Sequence, residues 1–221
     1  ISSVKPRSTI SVVKRPNTVV QQIVLATGNA GKLREFQQML GAQNIEFITQ
    51  RSLGVDDADE TSLSFVENAI IKARHACSIS GLPSMADDSG LEVDALKGQP
   101  GIYSARYAGI GASDAENNSK LLRELASVPE AQRKARFQCV IVFMRYAEDP
   151  MPYICQGTWE GRILFEAQGE NGFGYDPLFF VPTHGCASAQ LDPSIKNSIS
   201  HRGQALRALL PHWEKLSGSI A

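Results

Sequence analysis

Two β-type runs, Arg136 to Tyr146 and Tyr153 to Phe165, are joined by the turn-like Ala147-Glu148-Asp149-Pro150 and read as a hairpin. They follow a stretch that alternates strand and helix, and few folds hold both patterns. The apolar run Ile23-Val24-Leu25-Ala26, stopped by Gly28, predicts a buried strand in a fold that begins at Gln22. Leu33, Phe36, Met39 and Leu40 then recur at helical spacing up to Gly41, and Ile45-Glu46-Phe47-Ile48 predicts a second strand. A second helix is expected from Ser64 to Ser80. Ser64 and Glu67 have capping-box spacing, and Phe65, Val66, Ala69, Ile70, Ala73 and Cys77 form its apolar stripe. Gly81 and Pro83 end it, and Ser84-Met85-Ala86 reads as a short strand that stops at Asp87. Asp114 to Leu125 predicts a helix with Asp114 as N-cap. Arg202 to Leu216 predicts the last one, with Leu206, Leu209, Leu210 and Trp213 on one face and Pro211 marking a kink or early end. Strand–helix–strand units followed by a hairpin imply an α/β fold with a mixed sheet.

With 221 residues, 43% hydrophobic and 20% charged, the chain suits one large domain or two small lobes. A net charge of -1 argues against binding a nucleic-acid polymer, which needs a basic surface, but leaves room for a local basic pocket. Cys77, Cys139, Cys155 and Cys186 show no C-x-x-C spacing and read as reduced core thiols of a cytoplasmic protein; no histidine clusters with them to suggest zinc. No apolar run approaches the ~20 residues of a membrane span. Residues 1–21 read as an extension outside the fold. Their basic residues would suit a transit peptide, but Pro6 and Pro16 interrupt the helix it would need. Residues 22–221 then form the domain.

Five segments can carry chemistry. Thr27-Gly28-Asn29-Ala30-Gly31-Lys32 lies between a strand and a helix. Glycines, a helix start and a lysine suit a polyphosphate, although an ordinary turn explains the same residues. Ala26 and Leu33 rule out a Walker A loop, and no G-x-G-x-x-G is present. Asp87-Asp88-Ser89-Gly90 puts two adjacent carboxylates at an expected strand end, where a cation would offset their repulsion; the alternative is a solvated turn. In the acidic run 56–60, Glu60 is best placed to supply a second carboxylate to a metal. Lys72 on the next helix could reach a phosphate. Phe173 between Gly172 and Gly174, followed by Tyr175, Asp176 and Pro177, offers a flat ring and an acceptor for a base, or simply a Gly-rich turn. Lys196 with Ser200-His201-Arg202 at a helix start suits an anionic or carbonyl-bearing ligand, though N-capping by Ser200 explains it as well.

Taken together, Thr27 to Lys32, Glu67-Asn-Ala69 with Lys72-Ala73, Ala86 to Leu91, Pro100 to Arg106, Phe173 to Pro177 and Ser200 to Gly203 resemble the inosine/xanthosine triphosphate pyrophosphatase family. The likeness is to its bacterial branch, in family order, over nearly all of Gln22 to Leu216. The resemblance implies an elongated, two-lobed α/β fold around a central mixed sheet, a cleft between the lobes and a homodimer. It also implies magnesium-dependent hydrolysis of dITP, ITP and XTP to the monophosphate and pyrophosphate. Carried over by position, Thr27, Gly28, Asn29, Ala30, Gly31 and Lys32 would bind the triphosphate, with Lys72 beside them. Glu60 and Asp88 would hold magnesium. Asp88, helped by Asp87, would activate water, and Ser89 would touch substrate. Phe173 would stack on the purine, with Gly174, Tyr175, Asp176, Lys196, His201 and Arg202 completing the base pocket. Arg106 is a further phosphate contact. A septum-inhibitor (Maf-type) protein shares the fold, but the Phe173 and His201-Arg202 motifs count against it.

Overall fold

The computed structural model describes residues 21–41 and 45–212. Seven strands form one sheet: β1 (Gln21–Leu25), β2 (Ile45–Thr49), β3 (Ser84–Val93), β4 (Lys134–Met144), β5 (Tyr153–Ile163), β6 (Phe179–Val181) and β7 (Cys186–Ala187). Their spatial order is β2-β1-β3-β4-β5-β6-β7. β1 is parallel to β2 and β3, whereas β3 to β7 are antiparallel neighbours, so the sheet is mixed as expected. Gln21 is the first residue of β1, one position before the expected start. The rest of the expected N-terminal extension, and the segment 213–216 with Trp213, lie outside the described residues.

Among the described residues, five α-helices accompany the sheet: α1 (Ala30–Leu40), α2 (Phe65–Ser80), α3 (Asp114–Glu124), α4 (Pro193–Ile199) and α5 (His201–Leu209). The Ser64 hydroxyl caps α2 by accepting from the Glu67 amide, and Gly81 closes the helix in the left-handed conformation. α5 ends at Leu209, and Leu210–His212 tightens into a 3-10 turn around Pro211, the early end that proline implies. α3 differs from expectation at its start. Ser113, not Asp114, is the N-cap, forming a capping box with Glu116, so the Asp114 carboxylate is left for another partner.

Core side chains fall into three groups. Ile23, Leu25, Phe36, Met85 and Leu206 fill one face of the sheet beneath α1 and α5. Val24, Ala26, Ala69, Ala73, Ala86 and Val142 fill the opposite face beneath α2. Leu91, Leu121, Phe137, Trp159 and Phe179 form the third around the far ends of β3, β4 and β5.

The largest departure from the sequence reading concerns β3, which runs ten residues and does not stop at Asp87. Aspartate disfavours strands when judged locally. Here the long β4 supplies a full ladder, pairing Asp87 with Ile141, Asp88 with Val140 and onward to Val93 with Ala135. The strand end that opens the site belongs to β1. Its pairing with β3 stops at Leu25–Met85, and the chain from Ala26 to Lys32 turns away beside the middle of β3.

Candidate active site

A cavity of about 710 Å³ opens there, lined by Thr27, Lys32, Glu60, Lys72 and Arg106 and by Phe173, Lys196, His201 and Arg202, with Lys32 and Arg202 meeting at one oxygen of Asp87. Gly28, Asn29, Ser89, Gly174, Tyr175 and Asp176 also line it. Ala30, Gly31, Asp87 and Asp88 are not among the lining residues; the two aspartates sit behind the lysines they hold.

The acidic pair is divided by the strand's two-residue period, which sends neighbouring side chains to opposite faces. Asp87, 1% exposed, faces α1 and α5. Its Oδ2 accepts from Lys32 Nζ at 3.1 Å, Arg202 Nη2 at 3.0 Å and the Ser89 hydroxyl at 3.1 Å. Burial raises its pKa, but Lys32 and Arg202 outweigh burial and hold the carboxyl well below the usual range. Asp88 faces α2, where Lys72 Nζ donates to Asp88 Oδ1 and Glu60 Oε1, each at 2.8 Å. Glu60 also accepts from Arg106 Nη1 at 3.1 Å. For Asp88 burial prevails over Lys72 and Lys32, and its pKa is raised. The repulsion expected of adjacent carboxylates is therefore relieved by separation onto two faces, with Lys32 and Lys72 acting on both carboxylates.

Asp87 Oδ1 and Asp88 Oδ2 are both buried with no hydrogen-bond partner among the described residues. Orphaned carboxylate oxygens beside a cavity fit a divalent cation, because leaving such atoms unpaired is costly. Among the described residues no three His, Cys, Asp or Glu side chains converge as a metal cage. The donor set, Asp88 with Glu60 nearby, fits magnesium, which takes one or two carboxylates and completes its shell with water and phosphate oxygens.

The Thr27–Lys32 loop is more internally satisfied than its composition suggested. Asn29 Oδ1 accepts from the Gly31 and Lys32 amides at 2.8 and 3.0 Å, and Thr27 Oγ1 accepts from the Asn29 amide. Positive charge there is offered chiefly by Lys32. A side chain at Gly31 would enter the Phe173 ring, so the loop and the aromatic lie in contact. Gly90 lies within β3, where a Cβ would collide with the Gly101 carbonyl oxygen and the Ser104 hydroxyl of the 3-10 turn Gly101–Arg106 that carries Arg106.

Around the aromatic, Lys196 Nζ lies 5.0 Å from the centroid of the Phe173 ring and Arg202 Cζ 5.9 Å from it. Both oxygens of Asp176 are engaged. Oδ2 accepts from Lys196 Nζ at 2.6 Å and from the Phe173 amide at 2.9 Å, while Oδ1 accepts from Ser188 at 2.8 Å. Asp176 thus holds the pocket's shape. Tyr175 donates its hydroxyl to the Ser104 carbonyl at 2.8 Å. His201 stacks on Phe137, with centroids 4.8 Å apart and planes 15° apart, and burial lowers its pKa well below the usual 6.5.

The low pKa of His201 has a measurable consequence. A group neutral in the fold and protonated once unfolded stabilises fully above pH 6.5, and the contribution is lost as pH falls below that value. Between pH 6.5 and 5 His201 is expected to lower stability by up to about 1.4 kcal/mol per pH unit. Chemical denaturation of wild type and His201→Gln would check this; an equal pH slope in both would refute it.

Sequence reasoning missed Glu35. On α1 it is buried, accepts from Lys196 Nζ at 2.9 Å and pairs with Arg202 Nη1. Burial raises its pKa, but Arg202 and Lys196 together outweigh that and lower it. Its one signal was an acid close to the apolar face of a helix, among Leu33, Phe36 and Leu40.

The description "Ham1 family" belongs to the family model that matches residues 23–212. A Vibrio parahaemolyticus protein named dITP/XTP pyrophosphatase is 60% identical over 190 residues, covering 86% of this chain and 95% of that one. A Shigella flexneri protein of the same name is 57% identical over 191 residues, covering 86% and 97%. A solved HAM1 protein from Coxiella burnetii superposes with a TM-score of 0.82 at 51% identity, covering 88% of this chain and 99% of its own. A match over residues 23–212, together with a site that brings the expected segments around one cavity, makes the chain a member of the Ham1 family.

Proposed function

We propose that this chain hydrolyses the non-canonical purine nucleoside triphosphates dITP, ITP and XTP to the monophosphate and pyrophosphate, clearing deaminated purines from the nucleotide pool. One observation carries the reading. A group of lysines and carboxylates suited to phosphate, and an aromatic ring with two buried cations suited to a purine, line one cavity. The names of relatives at 57–60% identity support it.

The residues take the following parts. Thr27 to Lys32 hold the triphosphate, and Lys32 and Lys72 offset its charge, which grows on the phosphoryl oxygens and leaving group during hydrolysis. Asp88 orients the attacking water and takes its proton, a role that suits a carboxyl whose pKa burial raises. Asp87 supports it by fixing Lys32 and Arg202, and Ser89 contacts substrate. Glu60 and Asp88 would hold magnesium, which when bound neutralises phosphoryl charge as a Lewis acid. Phe173 stacks on the purine. Lys196 and Arg202 donate toward its 6-oxo group, with Gly174, Tyr175 and neutral His201 enclosing it and Asp176 holding Lys196 in place. Adenine, with an amino donor at that position, leaves those donors unpaired and is rejected. The single domain of two lobes acts as a homodimer in the cytoplasm on a small-molecule substrate.

Pyrophosphate release from ITP, XTP, dITP, GTP and ATP, with magnesium or with EDTA, tests the reading. ITP, XTP and dITP are expected to react at least ~100-fold faster than ATP, since unpaired buried donors cost that much or more. EDTA is expected to abolish turnover. Equal rates on ATP and ITP would sink the specificity claim, and full activity in EDTA the metal claim. Phe173→Ala is expected to raise KM for ITP about tenfold, the usual effect of losing one base–aromatic stack.

A further inference from the structure

The backbone of Gly174, the residue after the aromatic platform, is held on both sides by one face of α3. Its N–H donates to Asp114 Oδ2 at 2.6 Å, and its carbonyl accepts from Asn118 Nδ2 at 3.0 Å. Asp114 and Asn118 are four residues apart, one helical turn, so they project side by side. The capping box of Ser113 and Glu116 satisfies the start of α3 and leaves Asp114 for this contact. Gly174 has a φ of +61°, in the left-handed region that favours glycine, so both of its peptide groups can face the helix. The preceding amide, that of Phe173, is held from the other direction by Asp176 Oδ2 at 2.9 Å. Phe173 therefore sits between two anchors. Asp176 belongs to its own loop, and the Asp114–Asn118 pair lies nearly 60 residues away in sequence.

α3 also fixes a second part of the site. Asn117, next to Asn118, is buried, accepts from the Ala108 amide at 2.7 Å and donates to the Ala105 carbonyl at 3.2 Å. It thus braces the turn that carries Arg106, and Arg106 in turn holds Glu60. One helix thus holds both Gly174 and the turn that carries Arg106.

We infer that Asp114 and Asn118 are positioning residues for base recognition, a clamp that sets the height and tilt of the Phe173 ring for the purine. The inference rests on the reading of Phe173 as the base platform. A loop free to shift by an ångström loses its stacking geometry while the phosphate groups keep theirs, so loss of the clamp weakens purine binding selectively.

The full-length enzyme with magnesium is tested as wild type, Asp114→Ala/Asn118→Ala, Asp114→Asn and Phe173→Ala. IMP binding is measured by calorimetry, pyrophosphate by product inhibition, and ITP turnover by steady-state kinetics. The double variant is expected to bind IMP and to show KM for ITP about tenfold weaker, as for the loss of two hydrogen bonds. Its kcat is expected within about twofold of wild type, the pyrophosphate inhibition constant unchanged, by the uniform-binding criterion. Asp114→Asn keeps an acceptor and is expected to restore most of the affinity lost at that position. Equal weakening of IMP and pyrophosphate would mean a general disturbance and overturn the clamp. Unchanged IMP affinity in the double variant, with Phe173→Ala weakened, would overturn the clamp alone. Unchanged IMP affinity in Phe173→Ala would overturn the platform reading itself.

Discussion

Asp88→Asn is expected to lower kcat for ITP about a thousandfold, the middle of the range for losing a general base, while ITP still binds. The amide keeps the size of the carboxylate and can still accept from Lys72, so the fold is retained. It cannot take a proton from water, and it offers a poorer ligand to a cation at the orphaned Oδ2 position. Single-turnover pyrophosphate release gives the chemical step, and calorimetry gives ITP binding. The matched variant Asp87→Asn is the informative control. Asp87 lies on the other face of β3 against Lys32 and Arg202, so its loss should disturb binding and stability more than chemistry. An Asp88→Asn enzyme with more than a tenth of wild-type turnover would remove Asp88 from the role of base.

The second large effect is on stability. Arg202 is 2% exposed and joins Glu35, Asp87 and Ser89. Burial disfavours its charge, yet Asp87 and Glu35 hold its pKa above the usual value. Removing one member of such a network leaves buried carboxylates with too few cations, a loss of about 3–5 kcal/mol. For a chain of this size Arg202→Met is therefore expected to lower the thermal midpoint by about 10 °C. Arg202→Met/Glu35→Gln, which removes a charge of each sign, should recover part of the loss if the penalty is electrostatic. A midpoint within 2 °C of wild type would mean that water, not Arg202, solvates those carboxylates.

Both predictions turn on relations between distant residues, and this is where sequence reading reached its limit. Strand and helix identities were legible because they follow local period and turn chemistry. The Ser64–Glu67 cap, the Gly81 stop, the early end at Pro211 and the Tyr153 strand all stand where those signals put them. The segments that gather at the cavity were legible too, since glycines, paired acids and lone cations between elements are conspicuous. Glu35 was not: one acid in a helix reads as solvated, and its partners lie 161 and 167 positions away. Asp114 looked like a cap because a helix start explains an aspartate without help.

By itself the sequence determined the strands β1 to β5, the helices α1, α2, α3 and α5, and the mixed sheet they imply, whereas β6, β7 and α4 came from the structure. Only the tertiary structure decided that Asp87 and Asp88 share a strand interior and face opposite ways, one to Arg202 and Lys32, the other to Lys72 and Glu60. The reason is physical. Local propensity stops a strand at two aspartates, whereas the ten-residue ladder with β4 carries it through them, and the period of the strand then assigns each carboxylate its face.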